Sequence, residues 1–96
     1  MDLPPLVLAP MQGVTTAIFR RVYARHFGGV DRAVSPFIPA VHGRLPPRRY
    51  FKDILPENNT GSIPLVPQLI GKDGAEFRET ANRIADDLGY EEVNWN

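Results

Sequence analysis

Gln68 stands inside an otherwise apolar run, Leu65-Val66-Pro67-Gln68-Leu69-Ile70. A primary amide in such a place must find partners or cost stability. It both donates and accepts, so it suits a planar ring whose edge presents acceptor, donor and acceptor in sequence. A glutamine satisfied by the backbone of the interior is the plainer alternative. The second candidate is the segment Ala9-Pro10-Met11-Gln12-Gly13-Val14-Thr15. Pro10 lacks a backbone donor, and Gly13 permits close approach of the main chain. Such a turn can lie flat against a ring while offering it N–H and C=O groups, although an ordinary strand-to-helix turn has the same composition. Asn94 and Asn96 alternate with Trp95, which puts both on one side of a strand. Asparagine is disfavoured in strands, so the pair marks either a polar site or a frayed strand end.

The remaining polar residues suggest less. Arg44, Arg48, Arg49 and Lys52, with Tyr50 and Phe51 among them, form a basic and aromatic run of the kind that tracks a phosphate backbone. Acidic Asp53 and Glu57 follow closely, which favours a solvated loop. Arg20, Arg21 and Arg25 read as a solvated helix face. His26 suits a helix carboxyl end, where a cation is favoured, and neither histidine has a triad context. The chain has no cysteine, which excludes a thiol nucleophile, a thiol acid and thiolate metal ligation within it. His26 and His42 share no ligand-like spacing, so no metal site is expected. Gly71-Lys72-Asp73-Gly74 lacks the spacing of a phosphate-binding loop and reads as a turn into a helix.

Several elements must position these groups. Four short apolar runs read as strands: Leu6 to Ala9, Arg32 to Ser35, Leu65 to Ile70 and Glu92 to Trp95. Their spacing is about thirty residues, the size of a βαβ unit. The near-continuous apolar character of Leu65 to Ile70 suits a parallel sheet covered on both faces. A first helix is expected from Thr15 or Thr16 to about Phe27, with Thr15 as cap. Ile18, Phe19, Val22, Tyr23 and Phe27 form its apolar stripe, and Gly28-Gly29 offers a left-handed end. Tyr50 to Leu55 reads as a short helix ended by Pro56. A last helix begins at Asp73, whose Glu76 completes a capping box. It carries Phe77, Ala81, Ile84, Ala85 and Leu88 on one face and ends at Gly89. This alternation implies an α/β fold with parallel strands and right-handed crossovers.

Bulk properties bound the possibilities. The 96 residues suffice for one domain, 1–96, and not for two. A complete (β/α)8 barrel needs roughly 250 residues. Eleven basic residues balance eleven acidic ones, so no global field gathers nucleic acid. The opening Met1-Asp2-Leu3-Pro4-Pro5 has no basic region and no long apolar run, so it reads as no signal peptide. Nothing approaches a membrane span, and a cytoplasmic location is expected.

Three segments together resemble the tRNA-dihydrouridine synthase family. Leu8-Ala9-Pro10-Met11-Gln12-Gly13-Val14-Thr15 is similar to its first-strand signature. Val66-Pro67-Gln68-Leu69-Ile70-Gly71 is similar to its third-strand glutamine motif. Gly89-Tyr90-Glu91-Glu92-Val93-Asn94-Trp95-Asn96 is similar to the approach to its Asn-x-Gly-Cys-Pro catalytic loop. The resemblance implies the amino-terminal half, about four βα units, of a TIM (β/α)8 barrel. It further implies FMN reduced by NADPH, and reduction of uridine to dihydrouridine in tRNA. By the same resemblance Pro10, Met11 and Gln12 line the flavin, Gln68 bonds its ring edge, and Asn96 faces the substrate base. Two departures stand out. Ser35-Pro36-Phe37 occupies the place where members often carry an acidic residue after the second strand. The loops after strands seven and eight, which grip phosphate in such barrels, have no counterpart here, so FMN binding by this chain is expected to be weak or absent. With no proton-donating cysteine, the chain alone is not expected to turn over. Another FMN barrel, such as a dihydroorotate dehydrogenase, remains an alternative. So does a non-catalytic α/β module that oligomerises through open sheet edges.

Overall fold

The structure is a computed structural model that describes residues 4–44 and 46–96. The opening Met1-Asp2-Leu3, where no leader was expected, lies outside the described residues. The strands are β1 (Val7–Leu8), β2 (Arg32–Val34), β3 (Ile38–Pro39), β4 (Leu65–Val66), β5 (Gln68–Ile70) and β6 (Asn94–Trp95). All their pairings are parallel, in two sheets of order β1-β2-β4 and β3-β5-β6. Parallel neighbours cannot be joined by tight turns and need long crossovers. Helix α1 (Ala17–His26) joins β1 to β2. Helix α2 (Arg48–Phe51), continued by 3-10 turns at Lys52–Ile54 and Pro56–Asn58, joins β3 to β4. Helix α3 (Gly74–Leu88) joins β5 to β6. The chain is therefore mixed α/β with parallel strands, as its alternating pattern implied.

The apolar run Leu65 to Ile70 is not one strand. Pro67 divides it into β4 and β5, because proline has no N–H to give a ladder. Its carbonyl still accepts from the Asn94 N–H at 2.8 Å. Facing this break, Ser35-Pro36-Phe37 separates β2 from β3, a strand that apolar patterning missed. The fully buried Ser35 mends the gap. Its N–H donates to the Val66 carbonyl, and its Oγ accepts from the Gln68 N–H, both at 3.0 Å. A hydroxyl thus takes the part of a missing backbone acceptor.

Helix α1 departs furthest from expectation. Its apolar stripe faces outward: Ile18 is 67% exposed, Phe27 62% and Val22 51%. Phe19, Tyr23 and Phe27 pack along that surface, with successive ring centroids 6.2 and 5.1 Å apart. The inward side is held by Arg20, which is fully buried rather than solvated; Arg21 and Arg25 are exposed as expected. Arg20 Nη1 donates to the Thr15 carbonyl at 2.7 Å and to Asp53 Oδ2 at 2.8 Å. Its Nη2 donates to the Asp53 carbonyl and to Asn59 Oδ1, each at 2.9 Å. Thr15 does not cap the helix. The cap position is Thr16, which makes no side-chain cap bond, and the acceptor is supplied from afar by Asp53 Oδ1, 2.6 Å from the Ala17 nitrogen. Nor does a left-handed residue end α1, because Phe27 is extended at φ −133°.

Helix α3 follows its sequence signals more closely. Asp73 Oδ1 accepts from the Ala75 and Glu76 N–H groups at 2.8 and 3.2 Å. Gly89 closes the helix at φ +80°, a conformation that glycine adopts without a Cβ clash. The other half of the expected capping box is missing, since the Glu76 carboxylate turns instead toward His42, 3.6 Å away. The apolar core joins Ile38, Ile54, Leu69 and Ile84, with Phe77, Ala81 and Leu88 packed around them. Phe77 also stacks on Trp95 at 4.4 Å, which clamps β6 to α3.

Breaking a buried ion pair by removing one partner typically costs about 3–5 kcal/mol, because the other charge is left uncompensated. Asp53→Ala would also strip α1 of its cap. We expect it to lower the unfolding free energy read from urea titration by a cost in that range, and Arg20→Lys to lower it as well, since an ammonium cannot span four acceptors. An unchanged midpoint in Asp53→Ala would refute this account of the helix anchor.

Candidate functional site

Gln68 lies on β5 and is 7% exposed. Its Nε2 donates to the Ser35 carbonyl at a long 3.5 Å, and its Oε1 accepts from Asn96 Nδ2 at 3.1 Å. Asn96 is fixed in turn by its own N–H, which donates to the Leu69 carbonyl at 2.8 Å. Asn94 sits opposite Gln68 in the register between β5 and β6. The structure therefore brings Gln68 and Asn96 together into an amide pair, and Asn94 beside them takes no direct part. Each amide keeps free capacity: one N–H on Gln68 Nε2, one on Asn96 Nδ2, and unshared lone pairs on both oxygens. Donors and acceptors remain side by side, which fits a heterocycle edge of alternating acceptors and donors. The donor set is thus compatible with the flavin ring expected from the resemblance.

Pro10, Met11 and Gln12 form an exposed turn after β1. The Met11 carbonyl accepts from the N–H groups of Val14 and Thr15 at 2.9 and 3.0 Å. Thr15 Oγ1 accepts from the Met11 N–H at 2.8 Å, which explains why Thr15 is buried and not a helix cap. Gly13 completes the turn at φ +77°. The register Leu8↔Ala33↔Leu65 carries this turn and Gln68 toward the same carboxyl-terminal end of the parallel strands. No hydrogen bond among the described residues links the turn to Gln68.

Gln12 instead opens onto a cleft of about 580 Å³ between α1 and α2, to which Phe37, Arg21, Arg49, Tyr50 and Lys52 contribute. Gln68 and Asn96 do not line it. Ser35-Pro36-Phe37 connects the two regions, since Ser35 is bonded to Gln68 and Phe37 is in the cleft wall. No local signal marks Ser35 as a contact of Gln68 or Asp53 as the anchor of Arg20, because both depend on pairing across more than thirty residues.

A separate polar cluster ties the loop after β3 to α3. His42 Nδ1 lies 3.1 Å from Glu79 Oε2, and Glu79 Oε1 accepts from the Gly43 N–H at 2.7 Å. His42, Asp73 and Glu76 bring ligand-type atoms within 4.8 Å of one another. Asp73 Oδ1 also accepts from two helix N–H groups, and the hydrogen bonds of Glu79 to His42 and Gly43 staple this loop to α3. Its hydrogen bond to Glu79 raises the His42 pKa above 6.5. The same bond, with that from Gly43, lowers Glu79 below 4.5. Histidine charge therefore supports the fold fully below its unfolded pKa, and this support is lost as pH rises through the raised folded value. The glutamate contribution is present above its unfolded pKa and is lost as pH falls through the lowered one. The staple is complete between about 4.5 and 6.5. Stability should decline as pH climbs above that window, and His42→Ala should flatten this decline in thermal melts. Identical pH profiles for the two proteins would exclude the staple.

Parallel strands joined by helices, with the turn after β1 and Asn96 after β6 at the strands' carboxyl ends, define an α/β protein of the class that places its chemistry at that end. The model of the dihydrouridine synthase (Dus) family matches residues 7–96, and the chain belongs to that family. It is similar to a tRNA-dihydrouridine(16) synthase of Haemophilus ducreyi, 30% identical over 100 residues that cover 99% of this chain and 30% of that protein. It is also similar to a probable tRNA-dihydrouridine synthase of Rhodobacter capsulatus, 33% identical over 93 residues that cover 97% of this chain and 28% of that protein. The chain thus spans under a third of the length of either relative. No solved structure matches it significantly. These matches do not favour a dihydroorotate dehydrogenase or a non-catalytic module. No helix among the described residues is long and apolar enough to cross a membrane.

Proposed function

We propose that these residues form the opening part of the catalytic barrel of a flavin-dependent tRNA-dihydrouridine synthase acting in the cytoplasm. The observation that carries this reading is the 3.1 Å hydrogen bond between Gln68 and Asn96, the two residues that the resemblance assigns to the flavin edge and the substrate base. Joining the interrupted strands supports the barrel. With β2 and β3 taken as one ribbon and β4 and β5 as another, four parallel ribbons follow in chain order, as in four consecutive βα steps.

In this reading Pro10, Met11 and Gln12 border the flavin through their backbone, and Gln68 holds the ring edge. FMN, reduced by NADPH, supplies the hydride when bound. The Gln68 amide orients the ring by donating from Nε2 and accepting at Oε1. Asn96 has a second N–H and a carbonyl for the uracil base while its first N–H stays on Gln68. A fixed amide pair would offer ring edge and base neighbouring donors and acceptors without a charged group. The chain has no cysteine, so the proton that completes the reduction would come from outside these residues. FMN should bind this chain weakly or not at all.

In the complete enzyme that carries this segment, Gln68→Leu should lower the flavin content read from visible absorbance, while Lys72→Gln leaves it intact. Dihydrouridine measured by mass spectrometry in tRNA from a host lacking its own synthases should rise on expression of the unaltered enzyme. No rise in dihydrouridine would overturn the assignment.

Open edges bear on the behaviour of the chain by itself. Among the described residues β1 pairs only with β2, and β6 only with β5. Unpaired strand edges template further pairing, and Leu6, Val7 and Trp95 are exposed there at 59%, 43% and 50%. Self-association should therefore grow with concentration in sedimentation velocity. A single monomer peak at high concentration would count against it.

A further inference from the structure

The cleft between α1 and α2 is not used by the amide pair. Its walls carry three cations, Arg21, Arg49 and Lys52, and one carboxylate, Asp53. That carboxylate is already spent, since its two oxygens accept from Arg20 at 2.8 Å and from the Ala17 N–H at 2.6 Å. Acidic neighbours in the sequence argued for a merely solvated basic run. The fold removes that objection: Asp53 is turned onto Arg20, and Glu57 does not line the cleft. Arg21, Arg49 and Lys52 form no ion pair among the described residues. A chain of zero net charge thus concentrates three unpaired cations in one hollow.

The hollow also has aromatic surface. Phe37 and Tyr50 are half-buried in its walls. The Arg49 guanidinium lies 4.8 Å from the Tyr50 ring centroid and donates to its hydroxyl at 3.3 Å, which holds the cation in a fixed attitude. Cations beside π-faces in a concave site suit a phosphate joined to a planar base. About 580 Å³ falls within the range of small-ligand sites, enough for one splayed nucleotide and too narrow for a duplex.

We propose that this cleft holds a nucleotide of single-stranded RNA, with Arg21, Arg49 and Lys52 on its phosphodiester and Phe37 and Tyr50 against its base. The inference rests on the reading of a tRNA substrate and adds a contact away from the Gln68–Asn96 pair. A looped RNA strand would be gripped here by its backbone while another of its bases reaches the strand ends.

The test is fluorescence anisotropy of a short labelled single-stranded oligoribonucleotide with the 96-residue chain, across a salt series. The unaltered chain should bind, and its affinity should fall with salt. Arg49→Gln with Lys52→Gln removes two phosphate partners and should make the log–log salt slope shallower by about 1.4, at roughly 0.7 per contact for a single strand. The matched pair Lys72→Gln with Arg78→Gln, on and beside α3, should leave the slope unchanged. Phe37→Leu should weaken RNA binding while heparin binding stays the same. Arg21→Gln, an exposed change on α1, stands in if the first pair does not melt cooperatively. Absence of RNA binding, equal losses from both charge pairs, or parallel losses of RNA and heparin in Phe37→Leu would each overturn the proposal. Flavin content in the complete enzyme reads the Gln68 site separately, so failure of either idea leaves the other measurable.

Discussion

One buried guanidinium organises the site-bearing half of this molecule. Arg20 is sealed from water, and its desolvation must be offset by well-placed acceptors. Four are provided, two by Asp53 and one each by Thr15 and Asn59. Only its Nε lacks a partner. These bonds fasten the turn after β1 to the segment that follows α2. The same Asp53 caps α1, so the loop carrying Pro10, Met11 and Gln12 and the cleft beside it share a single fastening. Ile54, next to Asp53, enters the apolar core. Charge network and core are thus consecutive in the chain.

A second constraint acts at the strand breaks. Pro67 could not donate to a neighbour, and the chain uses that defect. The break turns Gln68 to a place where its N–H meets the Ser35 hydroxyl and its side chain meets Asn96. A regular ladder would have satisfied the same N–H with a main-chain carbonyl. Here one small hydroxyl couples the second ribbon to the glutamine. Ser35 thereby fills a structural part.

Local signals in the sequence were reliable where structure is decided locally. Asp73 and Gly89 bound α3 as their types imply, and the parallel α/β order follows from the alternation of runs. The place of the Met11 turn after β1 follows from strand direction, whereas the bond between Gln68 and Asn96 was not legible, because it joins positions twenty-eight residues apart. The errors share one cause. Helical spacing identified the apolar stripe of α1 correctly but could not say which side would be covered, and the buried side is held by an arginine. Thr15 looked like a cap because capping by Asp53 spans thirty-six residues. His42 had no partner in the sequence, since Glu79 reaches it only after α3 has formed. The 580 Å³ cleft was legible only as a basic run, for its opposing wall lies on another helix.

The outward stripe of α1 has a thermodynamic consequence. Near room temperature the drive to cover apolar surface is mainly entropic and weakens on cooling. Any contact made through Ile18, Val22 and Phe27 would carry a negative heat-capacity change and loosen in the cold. Hydrogen bonding along the edge of β1 has no such dependence. Chilling therefore distinguishes the two routes by which this surface could take on a neighbour.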